Sequence, residues 1–220
     1  MSQACRVLGV PVISGNVSLY NETAGRPIYP TPVVGALGVL NDVSKHVTPG
    51  FKAEGDLVYL IGPWATGPEA LAGSEYLSIC HEIVAGRPAI DLDLEARVQV
   101  ACLEAIDRGL IRSAHDCSDG GLAVALAECC IIGGLGLDTG HLLTRERPDA
   151  LLFGETPSRI VVSVAPDHAL DLETVLRDVS FTRLGQVGGD GLRMDSWLHI
   201  GISQLKDAWE LGLEQARSFG

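Results

Sequence analysis

The chain has 220 residues, with 16 basic against 28 acidic side chains and a formal net charge of −12. This balance argues against a protein that binds the phosphate backbone of nucleic acids, because such proteins need a basic face to displace counterions. An apolar fraction of 46% excludes disorder as the main state. Only 5% of the residues are aromatic, and there are 26 glycines and 11 prolines, which predicts an aliphatic core with tightly turned connections.

Neither a membrane segment nor a targeting segment is evident. No stretch reaches the roughly 18–20 uninterrupted apolar residues that span a bilayer, and the first residues lack the basic and apolar regions of a signal peptide. We therefore expect a cytoplasmic protein without a membrane partner. The six cysteines form no CxxC or CxxH pattern, which favours buried thiols over a metal site or disulfides.

Residues 1–52 contain too few elements to fold as a domain. A short helical stretch, Gln3–Leu8, precedes two apolar, strand-like segments, Pro11–Tyr20 and Pro32–Val43. Two strands and one helical turn bury little apolar surface. We expect them to complete a sheet whose other strands lie elsewhere, either in a second copy of the chain or in a longer polypeptide.

Residues 53–220 carry enough periodic segments for a complete domain. A closing helix from Ser203 is expected to turn Leu205, Ala208 and Trp209 inward, and Asp167 to cap the helix before it. The predicted order is strand 57–61, helix 94–108, helix 121–131, strand 159–165, helix 168–178, strand 181–187, strand 192–202 and the closing helix. Mixed helices and strands in this order favour a three-layer α/β arrangement.

The first candidate site follows the apolar segment at 11–13. Gly15 removes a side chain where a ligand would approach the backbone, and Asn16, Ser18, Asn21 and Glu22 place several polar groups on a short arc. Mg²⁺ prefers oxygen ligands of this kind and keeps several waters, so one amide oxygen and a phosphate would suffice. The alternative is a polar strand end whose side chains satisfy their own turn.

The second candidate is the stretch His115–Gly121, which leads directly into the predicted helix 121–131. Two glycines at a helix start leave the first amides uncovered, and the helix dipole favours an anion there. Either Ser118 or Asp119 would satisfy the same amides as a cap, which would remove the need for a ligand.

The third candidate is Phe153–Arg159, which precedes the predicted strand 159–165. Arg159 would pair with a ligand phosphate or with Glu155, and a purely structural Glu155–Arg159 ion pair remains the alternative. The sequence contains no nucleophile elbow and no phosphate-binding P-loop motif, which excludes triad hydrolases of that type and P-loop enzymes.

Three motifs in the same order resemble the large subunit of phosphoribosylformylglycinamidine synthase. The stretch Pro11–Glu22, followed by Pro30–Pro32 and Gly35, is similar to the signature near the end of that family's third domain. Ala114–Glu128 resembles the motif of the fourth domain, and Phe153–Arg159 resembles its later signature. Together the motifs extend over most of the chain, and the superfamily includes aminoimidazole ribonucleotide synthase.

The resemblance implies an α/β (α+β) fold in which residues 1–52 are the C-terminal remnant of the second N-like domain and residues 53–220 are the second C-like domain. That C-like domain is a three-layer α/β/α domain of the aminoimidazole ribonucleotide synthase type. The implied activity is that of an ATP-dependent C–N ligase of purine biosynthesis. It converts formylglycinamide ribonucleotide and glutamine-derived ammonia to formylglycinamidine ribonucleotide.

The resemblance also implies individual roles. Gly15 would contact ATP, Asn16 would hold Mg²⁺ and Ser18 would contact the ribonucleotide, whereas no catalytic residue is expected in this chain. An auxiliary nucleotide site would involve His115, Asp116, Gly120, Gly121, Glu155 and Arg159. The implied partners are the N-terminal half of the enzyme, a glutaminase subunit or domain and a small accessory subunit, with a homodimer through the exposed sheet as a further possibility.

Two alternatives stay open at this point. The chain would be a non-catalytic structural or nucleotide-binding half of that enzyme, or an independent member of the same superfamily. In the first reading, as in the main one, the isolated chain is expected to be inactive, because the family's catalytic histidines and Gly-rich nucleotide segment belong to the first half.

Overall fold

The computed structural model describes residues 1–16, 21–29, 31–140, 147–195 and 198–218. The chain divides into two compact units, Met1–His46 and Val47–Gly220. In the described ranges, no helix combines the length and the apolar composition that a membrane-spanning segment requires.

The first unit contains little regular structure. Helix α1 spans Ser2–Val7, and strands β1 (Glu22–Thr23) and β2 (Arg26–Pro27) form an antiparallel hairpin. A 3₁₀ turn, Val43–Lys45, begins after Asp42, whose carboxylate accepts from the Ser44 amide at 2.9 Å.

Within this chain, the two segments of the first unit that were expected to complete a sheet elsewhere do not form strands over their described residues. Residues 11–16 and 32–42 form neither strand nor helix, and their apolar side chains are exposed, Val33 to 96%. A strand needs a neighbouring strand to satisfy its amides, and within this unit the described residues supply no such neighbour for either segment.

The second unit carries a seven-stranded sheet and six α-helices among its described residues. Its strands are β3 (Leu57–Ile61), β4 (Ile111–Asp116), β5 (Leu137–Asp138), β6 (Ile160–Val164), β7 (Phe181–Val187), β8 (Gly191–Met194) and β9 (Leu198–Gly201). Its helices are α2 (Glu75–His81), α3 (Leu92–Asp107), α4 (Gly121–Gly133), α5 (Pro148–Phe153), α6 (Ala169–Val175) and α7 (Ile202–Ser218). The strand order in the sheet is β4-β6-β3-β7-β5-β8-β9.

Helices cover both faces of this sheet. Val58 and Leu60 of β3 pack with α4 in one buried cluster, while Leu57, Tyr59 and Ile61 pack with α3 and α6 in another. Every side chain of β3 is therefore buried, which explains the continuous apolar run of this strand. The arrangement confirms the predicted three-layer α/β fold.

Several boundaries differ from those predicted. The predicted strand 192–202 is instead the β8–β9 hairpin, and the predicted helix 168–178 is a short α-helix with a 3₁₀ turn at each end. Asp167 does not cap it, because the chain is already in the first 3₁₀ turn at this residue. Ala208 and Trp209 of α7 are exposed rather than inward, although Leu205 packs on the core.

The cysteines follow the sequence prediction in part. Cys102, Cys117, Cys129 and Cys130 are buried free thiols, whereas Cys80 on α2 is exposed and Cys5 is half-buried. Burial raises the pKa of Cys102 and Cys117 to about 11 and that of Cys130 to about 12. These three thiols are therefore protonated and weakly nucleophilic at neutral pH.

Candidate functional site

The second and third motifs meet at one end of the sheet. Strands β4 and β6 are antiparallel neighbours, and their register pairs Asp116, the last residue of β4, with Ile160, the first residue of β6. The Cys117 amide donates to the Arg159 carbonyl at 3.0 Å, which extends the pairing by one step beyond the strands. The turn after β4 and the loop before β6 therefore lie side by side, although about 40 residues separate them along the chain.

The turn between β4 and α4 depends on two glycines with left-handed backbones. Gly120 has φ +76° and Gly121 has φ +69°, a region that L side chains rarely adopt. A Cβ atom on Gly121 would lie 2.4 Å from the carbonyl oxygen of Gly154. The close packing of the two motifs therefore requires glycine at this position.

The start of α4 is capped by a residue from the neighbouring motif. The Gly120 amide donates to Oε1 of Glu155 at 2.9 Å, and the Glu75 amide at the start of α2 donates to the same oxygen at 2.9 Å. No side chain of the preceding turn caps α4 in the structure as described, so the predicted cap by Ser118 or Asp119 is wrong. A carboxylate is favourable here because the helix dipole and the uncovered amides attract negative charge.

Arg159 is held by backbone carbonyls and not by Glu155. Its side chain is 2% exposed, with Nε donating to the Thr156 carbonyl at 3.0 Å and Nη2 donating to the Gly154 carbonyl. Between these two described residues there is no ion pair, so the structural pair offered as an alternative is not formed. Burial lowers the pKa of Arg159, and its Nη1 has no hydrogen-bond partner among the described residues.

His115 and Asp116 form the outer part of the site. The His115 ring bonds through Nε2 to Oε2 of Glu128 at 2.8 Å, and its Nδ1 lies 3.4 Å from Oδ1 of Asp116. Asp116 is 71% exposed, and a hydrogen bond from the Ser118 hydroxyl holds its pKa below the ordinary value for an aspartate. Asp116 is therefore an accessible, ionised carboxylate beside the α4 turn, suited to a cation.

The first candidate site belongs to the other unit. Gly15 and Asn16 are exposed, and a Cβ atom added to Gly15 would have no neighbour within 4 Å. Ser18, the third residue of that prediction, lies outside the described residues. Nowhere in the described ranges do three or more His, Cys, Asp or Glu side chains form a group that would hold a metal. Asn16 is thus an accessible side-chain amide in the first unit.

Sequence reasoning missed two contributors to the site. Glu128 lies on α4 and holds the His115 ring, and the Glu75 amide shares the Glu155 carboxylate. The position of Glu128 inside the helix motif 114–128 was an available signal, whereas the Glu75 contribution is a backbone group that no side-chain pattern reveals.

Similarity to known proteins extends over most of the chain. Residues 53–195 match the family described as "AIR synthase related protein, C-terminal domain". The chain is 46% identical over 222 residues to the "Phosphoribosylformylglycinamidine synthase subunit PurL" of Thermomicrobium roseum, which covers 98% of the chain and 30% of that protein. It is 50% identical over 193 residues to the protein of the same name from Synechococcus sp. (strain JA-3-3Ab), covering 86% of the chain and 25% of that protein.

Solved structures show the same fold at lower sequence identity. "T. maritima PurL complexed with FGAR" aligns with a TM-score of 0.62 at 20% identity, over 74% of this chain and 30% of that one. "T. maritima PurL complexed with ATP" aligns with a TM-score of 0.58 at 19% identity, over 74% and 28%. The chain spans only about a quarter to a third of the length of these relatives. The match over residues 53–195, well over half of the sequence, places the chain in the family of AIR synthase related proteins, whose C-terminal domain it contains.

Proposed function

We propose that the chain forms part of a phosphoribosylformylglycinamidine synthase. The reaction is the ATP-dependent conversion of formylglycinamide ribonucleotide and glutamine-derived ammonia to formylglycinamidine ribonucleotide, an amidoligase step of purine biosynthesis. The observation that carries the proposal is identity of 46% over 98% of the chain to a relative named for this activity. Because the chain spans a minor share of such relatives, the activity belongs to an assembly that contains further segments.

Within that assembly, the segment around Gly15 would face the substrates. Gly15 would contact ATP, Asn16 would supply one oxygen ligand to Mg²⁺, and Ser18 would contact the ribonucleotide. The exposure of Gly15 and Asn16, and the open space where a Gly15 side chain would stand, support this assignment. Bound Mg²⁺ would offset the negative charge of the transferring phosphoryl group, and its remaining protein ligands would come from outside this chain.

Residues 1–52 would be the end of an N-like domain, and residues 53–220 a C-like domain. The exposed apolar side chains at 11–13 and 32–40 support this domain assignment. They would be buried if these segments were strands of a sheet that continues in another segment of the enzyme. The N-terminal half of the same enzyme is then the partner, together with a glutaminase and a small accessory subunit. A homodimer through the same segments is the competing arrangement.

The auxiliary nucleotide site would lie where the motifs of residues 115–121 and 155–159 meet. The ionised and accessible carboxylate of Asp116 supports a role in holding a cation that accompanies a nucleotide. Glu155 already occupies the Gly120 amide and Arg159 is committed to backbone carbonyls. Glu155 and Arg159 would therefore shape this site and not contact a phosphate directly.

A reconstitution assay tests the proposal. ADP release from formylglycinamide ribonucleotide, ATP, Mg²⁺ and ammonia is measured with this chain alone, with the preceding segment of a relative alone, and with both mixed. Turnover is expected only in the mixture. Turnover by this chain alone would overturn the assignment as a part, and absence of turnover despite demonstrated association would leave the chain a non-catalytic structural half.

The role of Asn16 is tested in the same mixture. Asn16→Ala is expected to lower the rate by about 10-fold or more, since mutation of a residue that only hydrogen-bonds to a metal ligand already lowers activity by about that factor. Asn41→Ala removes another exposed amide of the same unit and should leave the rate unchanged. Equal rates for both variants would remove Asn16 from the site.

A further inference from the structure

The connection between β3 and α3, residues 62–91, is buried against its unit in its first half only. We call this connection the strap. Its Ala70 and Leu71 are buried against Ala150, and the Tyr76 ring stacks on the Phe153 ring with the two ring centroids 5.1 Å apart. All residues from 78 to 91 are exposed. A segment with few buried contacts opens at a lower free energy than the core around it.

Glu155 is the point at which the strap meets helix α4. Its amide donates to the Ala70 carbonyl at 2.9 Å, and its Oε1 accepts from the Glu75 amide of the strap at 2.9 Å. The same oxygen accepts from the Gly120 amide at 2.9 Å. One carboxylate oxygen thus joins the first turns of two helices that belong to different parts of the unit.

We propose that Glu155 is a latch that couples opening of the strap to the conformation of the turn at Gly120. Both amides are among the helix-start donors that have no partner within their own helix. A charged acceptor makes both bonds stronger than neutral ones, and no other side chain of the described chain takes over at the start of α4. Whatever draws the carboxylate away from Gly120 therefore also loosens the start of α2.

The latch controls access to the loop 154–158. While the strap is docked, Ala70 lies against Gly154, so that a Cβ atom on Gly154 would stand 2.8 Å from the Ala70 Cβ. When the strap opens, this loop and the Phe153 ring lose their cover. The state of the turn after β4 is in this way transmitted to the strap, a consequence that goes beyond the proposed synthase activity and does not depend on it.

Amide-resolved hydrogen exchange on the full chain tests the latch. Glu155→Ala should raise the exchange rates of both the Gly120 and the Glu75 amides by about 10- to 100-fold, as expected for loss of bonds to a charged group. Amides of the strap should exchange faster in the same variant. Glu155→Gln keeps an acceptor oxygen and should give a smaller rise at both positions.

Two controls separate coupling from general loosening. Asp119→Ala removes an exposed carboxylate from the same turn, and this carboxylate caps neither helix. The variant should leave the exchange rates of both amides unchanged. Tyr76→Ala removes the stacking on Phe153 and should loosen the strap; because coupling is reciprocal, the Gly120 amide should then exchange faster as well, with no such additional rise when Glu155→Ala is already present. A rise at only one of the two amides in the Glu155 variants, or wild-type rates at both, would overturn the proposal. If Glu155→Ala does not fold, the correlated rise in Glu155→Gln decides.

Discussion

Both units of the chain contain apolar, strand-like segments, but the units differ in what they bury. In the second unit, each residue of β3 is buried, and two apolar clusters lie on opposite faces of the sheet. In the first unit, no described residue is buried, although Val12, Ile13, Val33 and Leu37 are all large and apolar. An apolar pattern produces a strand only where a neighbouring strand and a covering layer are present.

The second unit therefore has a self-supporting fold, whereas the described part of the first unit does not. The second unit closes both faces of its sheet with its own helices. In the described residues of the first unit, no such layer covers the apolar segments. Stability measured on this chain should therefore report the second unit almost exclusively.

Glycine substitutions should show the largest contrast between the units. A Cβ atom on Gly62 would lie 1.9 Å from the Ser158 carbonyl oxygen, and its φ of +108° is unsuited to an L side chain. Gly62→Ala should lower the free energy of unfolding by about 4 kcal/mol. Gly15→Ala meets no atom within 4 Å and should stay within about 0.5 kcal/mol of the wild type in urea denaturation. Equal losses of unfolding free energy in the two variants would contradict the conclusion that the units differ in what they bury.

Truncation of apolar side chains should also affect the two units differently. Leu60→Ala removes a side chain that is 0% exposed and should cost about 2–5 kcal/mol. Val33→Ala changes a side chain that is 96% exposed and should be neutral within about 0.5 kcal/mol. Urea titrations of both variants provide the test, and a large loss for Val33→Ala would show that the first unit has a core after all.

The sequence predicts those elements whose own residues settle their structure. The apolar run 57–61 and the helical stripe of 94–108 match β3 and α3 within two residues at each end. The sequence does not predict strand β4, because the inward positions of this strand include a polar residue, Ser113. The Ser113 and Ser163 hydroxyls bond to each other at 2.6 Å, so a buried pair replaces the apolar residues that a strand pattern normally shows.

The candidate site was predictable in its parts but not in its contacts. The sequence shows both motifs, at 115–121 and 153–159, and the antiparallel pairing of β4 with β6 brings them together. Glu155 accepts hydrogen bonds from backbone amides 35 and 80 residues away, and the spacing of side chains in the sequence cannot predict such bonds. The local caps Ser118 and Asp119 were the reasonable expectation, because most caps come from the residues just before the helix.

Two aspartates, one in each unit, have pKa values that are shifted in opposite directions. Burial raises the pKa of Asp56, against the opposing effect of Arg112 at 2.8 Å, whereas the Ser44 hydroxyl lowers the pKa of exposed Asp42. Arg112→Met leaves the buried Asp56 carboxylate without its partner and should cost about 2 kcal/mol or more at pH 7.

The penalty from Arg112→Met should depend on pH. Because the folded-state pKa of Asp56 is raised, the folded chain holds its proton at pH values where the unfolded chain has lost it. Stability is therefore lost as pH rises through this window, and the variant should approach the wild type as pH falls toward 4. Denaturation at several pH values, with carboxyl shifts followed by NMR, provides the measurement; a penalty independent of pH would contradict the assignment.

The smallest expected effect concerns Tyr59, whose hydroxyl donates to Glu173 at 2.8 Å. Burial, followed by the bond to Glu173, raises the pKa of Tyr59 to about 12. Between pH 10 and 12 the unfolded chain ionises this tyrosine and the folded chain does not, so stability falls as pH rises.

Tyr59→Phe should lose about 1 kcal/mol of unfolding free energy at pH 7 through the missing hydrogen bond. It should also show a shallower alkaline decline than the wild type. The buried thiols act in the same direction in both proteins and cancel in the comparison. Tyr29→Phe, at an exposed position of the first unit, is the control, and an alkaline decline that Tyr59→Phe leaves unchanged would place its origin elsewhere.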